Sequence, residues 1–187
     1  MTEVVTVATD YAPGLRKYGC RICGKEIERS YALPHAVDIG NGQTATVYGY
    51  WDLEKSAEML RLLNEWRTQN GVPAVQDGMD GTARTRALEC AYYYSHTRPN
   101  GERCFSAYEA YGTYAMAENI AAGYGGPEDV TNGWINSEGH NRNMLNATFR
   151  YASVSMFVVV NDSLSGEVSE LSHDYQYGRY YSQNFWE

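Results

Sequence analysis

The spacing of apolar residues changes once along this chain, and that change limits its fold class. In "DLEKSAEMLRLLNEWRTQNG", from Asp52 to Gly71, Leu53, Ala57, Leu60 and Leu63 recur at three- and four-residue intervals, widened by Met59, Leu62 and Trp66. That spacing marks an amphipathic helix. Asp52 stands where an N-cap belongs, and Gly71 where a helix stops. A second helical pattern runs through "TARTRALECAYYYSHT", with Ala83, Ala87, Cys90 or Ala91, and Tyr94 on one side. Pro99-Asn100-Gly101 marks the turn after it. "CFSAYEAYGTYAMAENIAAGYGG" predicts short helices and loops. "GPEDVTNGWINS" reads as a helix, with Pro127 at its first position and Glu128 and Asp129 in its first turn. Gly133, inside that helix, implies close packing. Beyond residue 150 the period shortens to two. "YASVSMFVVVND", 151–162, reads as a strand, and "YGRYYSQNFWE", 177–187, alternates Tyr181, Gln183 and Phe185 against Tyr180, Ser182 and Asn184. Helices first and strands later predict an α+β fold, a mainly antiparallel sheet covered by helices.

Residues 1–50 lack both periods. They read as an irregular N-terminal extension carrying a CxxC, with "TATVYGYW", 44–51, as a short strand; the main domain is expected over 51–187. A length of 187 residues suits one domain with an added segment. Net charge is −8 and no Lys/Arg cluster interrupts it. A basic face able to neutralise phosphates is therefore missing, which argues against nucleic acid as a partner and against adsorption to an anionic membrane. The longest apolar run, Met156 to Val160, is too short to span a bilayer. "MTEVVTVATD" has neither a basic n-region nor a long apolar h-region, so no signal peptide is read in the chain; a removed signal leaves the same picture.

Four cysteines stand at positions 20, 23, 90 and 104, an even number that admits three pairings. "CRIC" is half a zinc knuckle or a tight disulfide. Cys90 and Cys104 enclose a loop in which a bridge would be worth ~3 kcal/mol in the chain-entropy model.

The candidate chemistry lies at His96, Glu118 and His140. Both histidines stand where helical segments give way to turns, off any apolar stripe. Glu118 is set between "AMA" and "NIAA", where a carboxylate is costly without a partner. Two imidazoles and a carboxylate can form an open zinc site, and the same groups can act as a general acid/base set. Tyr92, Tyr93, Tyr94, Tyr124 and the tail tyrosines offer aromatic platforms for a ligand, or core packing.

The blocks "LLNEWRTQNGVPAV", "SHTRPNG", "AENIAAGYGGPEDVTNGWINSEGHNRNML" and "YYSQNFW" follow in the order and spacing of a CAP-superfamily domain. The chain thus resembles the SCP-like proteins related to cysteine-rich secretory proteins, antigen 5 and plant pathogenesis-related protein 1. Its "W-x-x-S-x-G-H-x-x-N-x-L" form resembles the bacterial branch, from which it departs at Ala117 and Glu138. The resemblance covers about 55–187. It implies a three-layer α-β-α sandwich and a cleft holding two histidines, His96 and His140, with Glu118 as its first acid. The position of the second acid is Ser137 here, with Glu138 beside it. Gly139 would let the chain turn so that His140 faces His96, and Glu118 would orient one ring or become a ligand. Arg98, Asn119 and Asn136 would be the polar surroundings, and Ser137 would cap the next turn. The implied function is that of an extracellular or cell-surface protein. Its cleft would bind Zn2+ or another divalent cation, and a lipid, peptide or cell-wall glycan. A hydrolase acting on peptide or cell-wall bonds through His96, Glu118 and His140 is the alternative.

Overall fold

Alternation in the two C-terminal strands decides which side chains face which layer. The structure is a computed structural model that describes residues 1–78, 81–109, 116–173 and 176–187. Strand β8 (Tyr151–Val159) pairs antiparallel with β9 (Arg179–Trp186), and β9 in turn with β7 (Ala117–Ala122). On its other side β8 meets β5 (Gln43–Trp51), which pairs with β4 (Leu33–Gly40). The order is β4-β5-β8-β9-β7, and the two-residue β6 (Gln76–Asp77) runs parallel to the start of β8.

Helices α1 (Leu53–Gln69), α4 (Pro127–Ile135) and α5 (Glu138–Met144) cover one face. There Tyr181 and Phe185 pack with Met59, Leu63, Val130 and Trp134. Helix α2 (Thr82–Tyr92) covers the other, where Tyr180 and Phe157 pack with Ala87, Leu88 and Ala91. The short α3 (Ser106–Glu109) follows it. This is the expected α-β-α sandwich. Trp134, Phe157, Tyr180, Tyr181 and Phe185 are all fully buried or nearly so; a fully buried large apolar side chain contributes about 1.5–3 kcal/mol.

Local signals work as their chemistry requires. Asp52 Oδ1 accepts from Lys55 N at 2.9 Å at the start of α1, and Gly71 takes φ +72° just after its end. A Cβ on Gly133 would stand 2.5 Å from Tyr124 Oη, the close packing expected there. The buried stripe of α1 is rotated from the expected one: Ser56, Met59, Leu63 and Arg67 face inward, while Leu53 is exposed. In "CFSAYEAYGTYAMAENIAAGYGG" the structure has α3 and strand β7; residues 110–115 of that stretch lie outside the described residues.

The irregular extension expected over 1–50 is corrected to strand. Strands β1 (Thr2–Thr6), β2 (Gly14–Gly19) and β3 (Glu26–Tyr31) form a separate antiparallel sheet, and β4 and β5 belong to the central one. Charged and polar residues line both faces of β1 and β3, so no alternation announces them. The small sheet is tied to the main one by Arg16 and Tyr18, which both reach Asp162, and by Arg16 to Glu167. Its β2–β3 turn is closed by Cys20 N to Lys25 O at 2.9 Å and Gly24 N to Cys20 O at 3.0 Å. Cys20 and Cys23 are exposed at this tip, and the backbone N–H groups of Cys23 and Ile22 hold the Cys20 thiol below its usual pKa.

Candidate functional site

The site grows from β7, the last strand in the sheet order. Successive residues on a strand face opposite ways, so Glu118 points to the α2 side and Asn119 to the α5 side. Glu118 is 6% exposed and lies opposite Asn184 on β9. A carboxylate this deep needs partners, and α2 supplies the main one. Arg86 Nε donates to Glu118 Oε2 at 2.7 Å and Nη2 to Oε1 at 3.3 Å; Asn184 Nδ2 adds a contact of 3.4 Å to Oε2.

Arg86 also donates to Glu89 Oε2 at 2.5 Å and to the Ser95 carbonyl at 2.7 Å, which fixes the chain just before His96. Glu89 in turn takes Arg98 Nη2 at 2.7 Å, and Arg98 Nη1 reaches Glu102 at 3.1 Å. The result is an alternating row, Glu118–Arg86–Glu89–Arg98–Glu102. Arg98 belongs to this row rather than to the cleft's polar rim.

His96 Nδ1 meets Glu118 Oε1 at 2.9 Å. An ionised carboxylate only accepts, so the proton on this bond is the imidazole's. Nε2 is thereby left as the free ring atom, on a side chain 59% exposed. Burial pushes the Glu118 pKa up, but the His96 hydrogen bond and the Arg86 charge outweigh it and hold it below the usual carboxylate range. A carboxyl depressed in the folded state stabilises above its unfolded pKa of about 4.3, and that stability is lost as pH falls through the folded value. We therefore expect the acid limb of a stability-versus-pH curve to be shallower in Glu118→Gln than in the parent, with the difference below about pH 5. Urea unfolding from pH 7 to pH 2 measures it, and parallel acid limbs would remove Glu118 as the responsible group.

His140 comes from the opposite layer, on the first turn of α5, and is half-buried. Asn119 Nδ2 donates to its carbonyl at 3.2 Å, and Asn143 Nδ2 donates to Asn119 Oδ1 at 2.8 Å. Burial lowers the pKa of His140, and the charge of His96 lowers it further. The structure thus joins His96, in the loop after α2, to Glu118 on the edge strand, while α5 brings the His140 backbone against Asn119, the next residue on that strand.

The family comparison falls on these same elements. The model of "CAP: Cysteine-rich secretory protein family" matches residues 60–185. The chain belongs to this family. "Uncharacterized protein YkwD" of Bacillus subtilis (strain 168) is 32% identical over 103 residues, which are 52% of this chain and 40% of that protein. The chain therefore spans less than half the length of that relative. An extracellular protein containing an SCP domain from Bacillus anthracis str. Ames superposes with a TM-score of 0.54 at 17% identity, over 98% of this chain and 66% of that one. An outer surface protein from Borrelia burgdorferi gives a TM-score of 0.51 at 12% identity, over 82% of this chain and 98% of that one. At these identities the likeness is one of fold.

Several expectations for the CAP motif change in the structure. Gly139 sits inside α5 without a positive φ, and a Cβ there would meet nothing within 4 Å, so it is not a tight-turn glycine. Glu138 is 92% exposed and pairs with Arg142 at 2.8 Å, turned away from His96. Ser137 holds the N-cap position without a side-chain cap bond, and Asn136 bonds back to Asn132 O at 2.8 Å. The polar run Asn141-Arg142-Asn143 is accounted for residue by residue: Trp66 Nε1 donates to Asn141 at 2.8 Å, Arg142 meets Glu138, and Asn143 holds Asn119. Arg67, fully buried, donates to the carbonyls of Pro73 (2.8 Å), Met144 (2.6 Å), Asn146 (3.0 Å) and Phe149 (3.2 Å), and so anchors the end of α5.

The even cysteine count suggests disulfides, with three pairings open, but none is formed: all four cysteines are free, Cys90 and Cys104 among them. Cys90 Sγ faces Arg86 Nη2 at 3.9 Å, and Cys104 lies against Glu118. Burial pushes the Cys90 thiol up to about 12 and the Cys104 thiol to about 11, so neither is a thiolate at neutral pH.

These facts decide how far the donors suit a cation. Both Glu118 oxygens are engaged, which makes it an orienting partner of His96 instead of a ligand. Among the described residues no three His, Cys, Asp or Glu side chains group as a metal shell. His96 Nε2 and the His140 ring are the donors that remain, backed by a carboxylate–histidine bond of the kind found behind metal-binding imidazoles. Of the tyrosines, Tyr180 and Tyr181 are core, while Tyr94, Tyr124 and Tyr177 are partly exposed, with the Tyr94 and Tyr177 ring centroids 6.2 Å apart.

Proposed function

We propose that this CAP domain is an extracellular or cell-surface binding module. Its two imidazoles, His96 and His140, capture Zn2+ or a similar divalent cation beside a lipid, peptide or cell-wall glycan ligand. The observation that carries this reading is the Glu118–His96 bond. A carboxylate kept charged by Arg86 fixes the ring's tautomer and turns Nε2 outward. The lowered pKa of His140 favours the neutral ring that a cation requires. Imidazole nitrogen suits zinc, and a cation held by two rings keeps positions for a ligand oxygen, which it would polarise. The exposed tyrosines supply the apolar and stacking surface beside it. The Bacillus anthracis protein is extracellular and the Borrelia protein is an outer surface protein, which supports the location.

The test is calorimetric titration of Zn2+ at neutral pH into the protein with Cys20 and Cys23 replaced by serine, so that nitrogen ligands alone are read. We expect one saturable site, lost in His96→Ala/His140→Ala. No binding, or equal binding in that variant, removes the cation from the function.

The same dyad favours a second reading. A histidine held by a charged carboxylate is also the arrangement of a general base, and a hydrolase acting on peptide or glycan bonds would use it. Glu118→Gln separates the two: a binding module keeps its ligand affinity, whereas a hydrolase loses turnover with substrate binding retained.

A further inference from the structure

The CxxC at the β2–β3 turn takes no part in the histidine site, and both its cysteines are exposed on a turn closed by backbone hydrogen bonds. Strands β2 and β3 stay in register up to Gly19 and Glu26, so the turn between them is held from both sides. Cys20 N donates to Lys25 O, Gly24 N donates to Cys20 O, and Gly24 takes φ +73°, a conformation that favours glycine. The backbone that carries the two thiols is thus fixed. The N–H groups of Cys23 and Ile22 point at the Cys20 sulfur, where they would stabilise a negative charge.

We infer that this hairpin tip is half of a zinc site, completed by the same two thiols of a second copy of the chain. Zinc in a structural site takes four ligands. The tip supplies two, and among the described residues no further His, Cys, Asp or Glu joins them. Cys90 and Cys104 are committed to the α2 side of the core. With no further ligand among the described residues, the missing pair is assigned to a second molecule.

Charge and surface at the tip suit a second copy. The protein carries a net −8, and two such molecules repel. Zinc bound by four thiolates is itself a net dianion. Arg21 and Lys25 flank the thiols in each copy and offset that charge where the molecules meet. Ile22, between the cysteines, is 97% exposed, and a facing tip would cover it. On binding, each thiol releases its proton to solvent and its sulfur bonds the metal; no oxidant is involved.

The experiment uses the reduced full chain, with zinc added in steps and the mass read by sedimentation equilibrium. We expect the mass to double, complete at one zinc per two chains, and Cys20→Ser/Cys23→Ser to show no zinc-dependent change. Cobalt in place of zinc should give thiolate-to-metal charge-transfer absorption, which imidazole ligands do not produce. Both results should persist in His96→Ala/His140→Ala, so this inference and the imidazole reading fail separately. A mass unaffected by zinc, a one-to-one complex without doubling, or doubling that survives loss of both cysteines overturns it.

Discussion

Replacing Arg86 with methionine is expected to cost about 3–5 kcal/mol of unfolding free energy, the range for breaking a buried ion pair from one side. Arg86 is fully buried, and two buried carboxylates depend on it. Glu89 would keep Arg98, but Glu118 would keep no cation of its own beyond His96, with neutral contacts from Cys104 and, at long range, Asn184. The destabilisation therefore falls on the carboxylate that orients the histidine. At the 2–4 °C per kcal/mol usual for a chain of this size, the midpoint of thermal unfolding should drop by roughly 6–20 °C. A double-mutant cycle isolates the cause: Glu118→Gln should cost less in the methionine background than in the parent, because the neutral amide no longer strands a charge. A loss under about 1 kcal/mol for Arg86→Met would mean that solvent reaches Glu118 and that the row is not a buried network.

Arg67→Met should cost about 2–6 kcal/mol, by a different route. Among the described residues Arg67 faces no acid; it is a buried cation held by four carbonyls, and burial lowers its pKa. Two of those carbonyls, on Met144 and Phe149, are themselves buried. Each buried acceptor left without a donor costs about 1–3 kcal/mol. The carbonyls lie at the end of α5 and in the segment leading to β8, so the loss should be local as well as global. Amide hydrogen exchange in residues 138–145 should speed up more than in α2. Zinc affinity should fall although neither imidazole is changed. Unchanged exchange in α5 would show that the Asn119–Asn143 bond and the Trp66 contact hold the helix without Arg67.

These two arginines also mark where the sequence was hard to read. The helical stripes were legible because leucine, alanine and methionine recur at the right spacing. Arg67 and Arg86 lie on those same stripes, four residues after Leu63 and one before Ala87, yet an arginine is ordinarily counted as surface. The available signal was positional: a cation among Ala83, Ala87, Cys90 and Ala91 requires a buried acid, and Glu118, equally misplaced in its apolar stretch, is that acid. The motif blocks single out His96, Glu118 and His140, and the His96–Glu118 bond follows from them, but Glu89 was not legible, because an acid in a helix normally faces solvent. Strands β8 and β9 announced themselves by alternation. Strand β7 did not, since "AENIAA" is buried on both faces, which erases the period. The short polar strands of the first forty residues lost it for the opposite reason.

The similarity to the family begins at Leu60, in the middle of α1, whereas the hydrogen-bonded ladder begins at β4. A fragment cut to the matched region would discard the Asp52 cap, the first half of α1 and both β4 and β5. The last third of β8, from Phe157 to Val159, would then have lost the strand that covers its edge. Phe157 and Val159, now enclosed between α2 and the sheet, would border an open ladder of unpaired N–H and C=O groups, the kind of edge along which separate chains associate. For anyone choosing where to trim this protein for expression or crystallisation, the first admissible cut lies before Leu33, not at the start of the recognisable motif.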